Sequence, residues 1–387
     1  MFQFTALPPL ALYVHFPWCV RKCPYCDFNS HERHGEIPEE RYIDALLADL
    51  ESDLPRVWGR PVRSIFLGGG TPSLFSPEAI ERLLAGVRAR VALVPDAEIT
   101  LEANPGTVET ERFRGYRAAG VNRLSIGIQS FQPEQLQKLG RIHGRDEALA
   151  AAQAARAAGF DNFNLDLMFG LPQQTLDEAL ADLRTALALH PAHLSVYQLT
   201  LEPNTLFHAQ PPELPDEDVL AAMQEALQAE LADSGLAQYE VSAYAHAGYR
   251  CRHNLNYWQY GDYLGIGAGA HAKITDADGV TRLWKVKQPR DYLETAGTPA
   301  GLGGEQRPGR DEVAFEFMLN ALRLTQGVPA ILFSERTGLD PACLRKPLTR
   351  AMARGLLEPG LGHIRPTPLG RRFLNDLVAL FLPEATR

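Results

Sequence analysis

The chain has 387 residues, 45% of them hydrophobic and 22% charged, with a formal net charge of −9. That length exceeds one ordinary core and fits a large α/β domain followed by a smaller one, and the composition excludes disorder and a membrane-spanning architecture. The acidic balance excludes a nonspecific nucleic-acid binder, which needs a basic stripe against phosphates.

The opening stretch MFQFTALPPLALYVHF is apolar but short, lacks a basic leader and is broken by Pro8 and Pro9. It reads as neither signal peptide nor membrane helix, so a cytoplasmic address is expected. Short aliphatic and β-branched runs predict six strands at 12–16, 64–67, 98–102, 123–128, 162–168 and 193–199. Apolar residues at helical spacing predict helices between them at 39–54, 77–91, 146–158 and 176–189. Such alternation implies parallel strands with right-handed crossovers, either a full or partial βα barrel or a doubly wound sheet. The unusual residues collect just after or within successive strands: the cysteines, GGGTP, Glu102, Gln129 and Asp166. A barrel keeps its site on that rim, whereas an open sheet concentrates contacts at one switch point, so a partial barrel is favoured.

A further helix is predicted at 216–234, then strands at 239–245 and 264–274 that extend the sheet. The segment TAGTPAGLGGEQRPGR, 295–310, reads as a linker. Beyond it the pattern is helical, with a Gly/Pro turn region at 358–370 before a final helix, an arrangement resembling a winged helix. The expected organisation is an α/β barrel domain with a sheet extension over 1–294, the linker, and a smaller, mainly helical domain over 311–387. Basic and acidic residues nearly balance in that last part, so no nucleic acid is expected as a partner.

Five cysteines, three of them clustered, make no disulfide framework in a chain of this size and point to a metal in a reducing compartment. Cys19-x3-Cys23-x2-Cys26 follows the first strand, so one loop presents three thiolates to one cubane. A [4Fe–4S] cluster is usually held by four cysteines. Three leave one iron open to the amino and carboxylate groups of a methionine-containing ligand, and an electron delivered there cleaves a sulfonium carbon–sulfur bond to give a carbon radical. The plainer alternative is a Cys3His zinc site completed by His15 or His31, although zinc frameworks normally bring ligands from two separated pairs. Cys251 and Cys343 read as small core hydrophobes.

LYVHFPWCVRKCPYC, FLGGGTPSLF, LEANP, NRLSIGIQSF and LDLMFGLPQQT, in register from residue 12 to about 200, resemble the radical-SAM proteins of the oxygen-independent coproporphyrinogen dehydrogenase family. The resemblance implies a partial six-stranded βα barrel with a helical C-terminal domain. It implies Cys19, Cys23 and Cys26 as cluster ligands, with Tyr13 and Tyr25 close to S-adenosylmethionine. Gly68, Gly69 and Gly70 are expected to let backbone approach the methionine moiety where no side chain fits, and Thr71 to supply a hydroxyl. Glu102, Gln129, Arg141 and Asp166 match the family's polar contacts to S-adenosylmethionine. Rim salt bridges and helix caps are their plainer roles; for Asp166, between Leu165 and Leu167, that role is weaker because an unpaired buried carboxylate is costly.

Two departures separate the chain from the family's decarboxylating enzymes. Those carry a further cysteine two residues past the cluster motif, where this chain has Phe28, and a longer N-terminal arm. With the segment His253-Asn254-Leu255-Asn256-Tyr257-Trp258, both resemble the branch of HemW-type heme chaperones, which implies heme as cargo and heme-accepting apoproteins as partners, membrane-associated respiratory enzymes being candidates. His253 and Tyr257, four apart, are the candidate heme contacts, with Cys251 equally in reach, Trp258 as an aromatic wall and Arg250 and Arg252 for propionates. A packed corner with satisfied hydrogen bonds is the plainer alternative. The competing functions are radical decarboxylation of coproporphyrinogen and, more remotely, a radical enzyme acting on tRNA.

Overall fold

The structure is a computed structural model that describes residues 2–106, 110–360 and 362–383. Strands and helices alternate as β1 (Leu10–Phe16), α1 (Glu39–Val57), β2 (Val62–Gly69), α2 (Pro77–Arg90), β3 (Leu93–Ala103), α3 (Thr110–Ala119), β4 (Arg123–Gln129), α4 (Arg145–Ala157), β5 (Phe163–Phe169), α5 (Leu176–Ala188) and β6 (His193–Gln198). The local chemistry accounts for the starts. Ser76 accepts from the Ala79 N–H ahead of Pro77, and Thr175 with Glu178 forms a capping box for α5. On α1, Ile43, Leu46, Leu47 and Leu50 recur at helical spacing and all are buried. Each contributes about 1.5–3 kcal/mol by leaving water.

After α6 (Glu217–Asp233) come β7 (Ala237–Glu240), β8 (Ala243–Ala245), α7 (Arg252–Trp258), β9 (Asp262–Ile266), β10 (His271–Asp276), β11 (Gly279–Lys285), α8 (Pro289–Thr295) and β12 (Leu302–Gln306). These twelve strands form one sheet ordered β12-β11-β10-β9-β1-β2-β3-β4-β5-β6-β8-β7. The run from β9 through β1 to β6 is parallel, so β9 adds a seventh parallel strand to the six expected. The flanking strands are antiparallel.

Three expectations for this region change. The stretch 264–274 is two strands, because the chain turns back between them through Gly267 (φ +108°) and Gly269 (φ +75°), with the Ala270 N–H donating to the Gly267 carbonyl (3.0 Å). The stretch 239–245 is likewise a hairpin. The segment 295–310 carries β12, paired with β11 along the sheet edge.

Along each central strand the side chains alternate. One set, including Leu12, Ile65, Leu101, Ile126, Leu165 and Leu194, packs with the surrounding helices in a single apolar core. The other set is polar and faces the opposite side. Two buried ion clusters bind the sheet extension to this frame: Lys285 with Asp49 (2.5 Å) and Asp53 (2.7 Å) of α1, and Asp262 with Lys273 (2.8 Å) and Arg60 (2.8 Å). Removing one partner of such a cluster strands the other charge in a dry site. The C-terminal part, α9 (Arg310–Ala321), α10 (Ile331–Thr337), α11 (Arg345–Ala353) and a two-residue ladder, has its own core around Phe317, Phe333 and Leu377. Tyr260 joins that core from the end of α7.

Candidate functional site

The loop after β1 and the carboxyl ends of β2 to β6 border one cavity of about 320 Å³. Cys19, Cys23 and Cys26 all open onto it, and each sulfur has a hydrogen-bonding neighbour. The Thr71 hydroxyl donates to Cys19 Sγ (3.6 Å), Arg141 Nη1 donates to Cys23 Sγ (3.7 Å), and Ser30 Oγ lies 3.6 Å from Cys26 Sγ. Donors aimed at sulfur stabilise thiolates and cluster sulfurs. Burial pushes the free Cys19 thiol up to about 11, so iron must displace its proton on ligation. The donor set therefore suits a cubane. It does not suit zinc completed by His15, whose Nδ1 pairs with the Tyr13 hydroxyl (2.9 Å) and whose Nε2 meets the Asn29 carbonyl (2.9 Å).

Deeper in the same cavity lie two carboxyls. Burial and then the nearby Asp166 charge push Glu102 up to about 8, opposed by the Gly69 N–H that donates to its Oε2 (3.1 Å). Burial also raises Asp166, opposed by Asn164 Nδ2 (2.8 Å) and the Ser125 hydroxyl (3.3 Å). Asp166 is thus partnered, not the costly lone carboxylate inferred from its flanking leucines. A cationic ligand entering here would favour the ionised form of Glu102, as the sulfonium and ammonium groups of S-adenosylmethionine would. Gln129 ends β4 with φ +71°, an unfavourable conformation for a non-glycine residue, and its Oε1 accepts from the Tyr197 hydroxyl (2.6 Å). Arg141 Nη2 bridges the Asn104 side chain (2.6 Å) and the Gly127 carbonyl (2.6 Å), while its buried Nε has no partner among the described residues.

Cys19, Cys23, Cys26, Tyr25, Gly69, Gly70, Thr71, Glu102, Gln129, Arg141 and Asp166 are brought together around this space. Tyr13 does not line it; its ring lies among His15, Phe66 and His253. The glycines also answer to the chain itself. A Cβ on Gly70 would meet the Trp18 carbonyl at 2.6 Å and one on Gly69 the His15 ring at 2.4 Å, so the close approach is between β2 and the cysteine loop. Asn104, which donates to Thr71 Oγ1 (2.9 Å), and Tyr197 were not singled out in the sequence. Asn104 lies inside LEANP, and Tyr197 continues the inward alternation of His193 and Ser195, so both had a local signal. Cys251 is buried as expected, but Cys343 is exposed.

The structure sets His253 and Tyr257 in a packed corner with their hydrogen bonds made within the chain. α7 enters at the amino-terminal side of the strands, where Glu98 accepts from the N–H groups of Arg252 (3.1 Å) and His253 (3.1 Å) and caps the helix. The His253 ring is 1% exposed, with Nδ1 on Ser64 Oγ (3.0 Å) and Nε2 on the Tyr257 hydroxyl (3.0 Å). Burial, then Arg123, lowers its pKa to about 3. Both nitrogens are committed, so iron would have to displace Ser64 or Tyr257. Arg252 pairs with Asp96 (2.7 Å) and Arg250 lies over the Tyr239 ring. The HNLNYW segment is a plug, joined to the cavity floor through Asn164, His193 and Tyr239, whose hydroxyl accepts from the Cys251 N–H (3.3 Å).

Comparison with known proteins agrees with this architecture. Residues 13–186 match the Radical SAM superfamily and residues 310–373 the HemN C-terminal domain. The chain is 52% identical over 379 residues to the heme chaperone HemW of Escherichia coli (98% of this chain, 99% of that protein) and 34% identical over 385 residues to that of Bacillus subtilis (96% and 99%). It is 37% identical over 388 residues to the mouse mitochondrial radical S-adenosyl methionine domain-containing protein 1 (97% and 87%). The solved structure of the E. coli coproporphyrinogen III oxidase HemN superposes with a TM-score of 0.81 at 25% identity, covering 97% of this chain and 90% of that one. The chain belongs to the HemW family within the radical SAM superfamily.

Proposed function

We propose that this chain is a heme carrier, binding heme and handing it to acceptor apoproteins, with a [4Fe–4S] cluster on Cys19, Cys23 and Cys26 and S-adenosylmethionine at the open iron. The observation that carries the proposal is the near full-length similarity to the E. coli heme chaperone, taken with Phe28, 59% exposed, at the position where the decarboxylating enzymes have a further cysteine. When bound, the cluster with S-adenosylmethionine supplies electron transfer and the capacity for radical formation. The chain's own residues do the rest: Thr71, Ser30 and Arg141 hold hydrogen bonds at the sulfurs, Glu102 and Asp166 receive positive charge, and Gln129 with Tyr197 orients the wall of the cavity.

No helix of the described residues is long and apolar enough to cross a membrane; the clustered free cysteines, which need a reducing compartment, support a cytoplasmic address with delivery to acceptors, membrane-bound ones included. The decarboxylation alternative rests on fold likeness to the oxidase at 25% identity, against 52% for the chaperone. The test is a heme titration followed by visible absorption, beside a coproporphyrinogen assay with reductant and S-adenosylmethionine. One heme per chain and no vinyl product is expected; sustained decarboxylation would overturn the proposal.

A further inference from the structure

On the outer side of the cysteine loop lies a second, open cavity of about 620 Å³. Its wall is the short parallel ladder that pairs Trp18 with His31 and Cys19 with Glu32. Ser30 borders both this cavity and the cluster cavity, and its hydroxyl faces Cys26 Sγ. The lining is unusual for an acidic protein: Lys22, Arg41 and Arg290 face it against Glu32 alone. Trp18, held edge-on to Tyr42 at 4.7 Å, supplies a fixed aromatic surface, and Leu293 and Pro289 of α8 supply an apolar edge.

Two imidazoles complete the lining. His31 is anchored by Asn29 Oδ1 (3.2 Å). His34 is exposed and has no hydrogen-bond or ion-pair partner among the described residues. The slot is built rather than incidental, because Asn29 ties the loop to the sheet extension through the carbonyls of Ala268 (2.9 Å) and Lys287 (2.8 Å). Apolar surface, a free imidazole and cations at the rim are together what a heme needs for its ring, its iron and its propionates. α7 offers no such set, since the nitrogens of His253 are taken.

We propose that heme docks in this slot, with His34 as the iron ligand and Lys22, Arg41 and Arg290 meeting the propionates. The proposal rests on the heme-carrier function above and locates its cargo site. Heme then sits against the loop that holds the cluster, with Ser30 as the shared wall, so an ordered cluster loop and a formed heme slot are one structural event, and heme affinity and cluster content are reciprocally linked.

The test is a hemin titration of the full chain, read by the Soret band and by tryptophan quenching. It compares the unsubstituted protein, His34→Ala, a combined Lys22→Glu, Arg41→Glu, Arg290→Glu variant, and His253→Ala, with circular dichroism as the check on folding. His34 and the three cations lie on the surface, so the fold should persist. His34→Ala should shift the Soret band, and both slot variants should weaken binding at least about tenfold, as expected for lost ligation or charge-assisted contacts. If the unsubstituted chain binds heme and both slot variants keep its band and affinity, the slot is wrong while heme carriage stands. If the unsubstituted chain takes up no heme, heme carriage itself fails and the slot with it.

Discussion

Replacing His253 by alanine separates a plug from a heme ligand. The substitution leaves Ser64 Oγ and the Tyr257 hydroxyl without their present partner, each bond being 3.0 Å long in the folded chain. An unpaired buried polar group costs about 1–3 kcal/mol. The imidazole also fills space between Phe66, 5.1 Å away centre to centre, and Tyr257 at 4.9 Å, and the void it leaves adds roughly 2 kcal/mol. With partial relaxation the loss is about 4 kcal/mol of stability; at ~2.1 cal/mol/K per residue over the whole chain this lowers Tm by about 5 °C. His253→Gln keeps a donor and an acceptor and should recover part of the loss. Thermal melts followed by circular dichroism, with heme titration of the folded protein in parallel, give both readouts. An unchanged Tm combined with loss of the Soret band would refute the reasoning, because it would mean that the ring serves iron and not packing.

Three further outcomes follow from the same geometry. Acidification should destabilise the fold: His253 and His15 are held near 3 and 4 by burial, so the folded forms stay neutral while the unfolded chain takes up protons from about 6.5 downward. Stability is constant with respect to these groups above that range and falls as pH drops through it; urea midpoints that do not move between neutral and mildly acidic pH would contradict this. Glu102 runs the other way, stabilising at low pH and losing that contribution as pH rises towards 8, so S-adenosylmethionine binding near neutral pH should release a proton. Calorimetry in two buffers of different ionisation enthalpy measures the release, and Glu102→Gln should abolish it. Arg141→Ala removes the cation that joins Cys23 to Asn104 and Gly127, and should lower iron retained per chain after reconstitution and desalting by at least about twofold, as is usual for groups that support metal ligands. Full iron content would show that the arginine is dispensable to the cluster.

Most of what could be read locally was read correctly, the hairpin at 239–245 being an exception. The six strands and the helices between them follow from side-chain periodicity, and the three cysteines share one loop, so their meeting needs no tertiary information. Glu102, Gln129 and Asp166 were locatable because each lies within or ends a strand. What failed depended on partners far along the chain. β9 joins β1 from some 250 residues away, and nothing in its own composition names that neighbour. Nor does the sequence around Gly70 name the Trp18 carbonyl, 2.6 Å from where a Cβ would lie.

His253 shows the division most clearly. The sequence by itself determined that a histidine, a tyrosine and a tryptophan share one short segment, and that three thiols share one loop. Only the tertiary structure decided that His253 is closed and His34 open. It carries Ser64, 189 residues distant in sequence, to the Nδ1 of His253 and closes that ring into the core, while the cysteine loop folds back and leaves His34 exposed beside Trp18. Side-chain type is a local property; whether its lone pairs are free depends on everything packed around it.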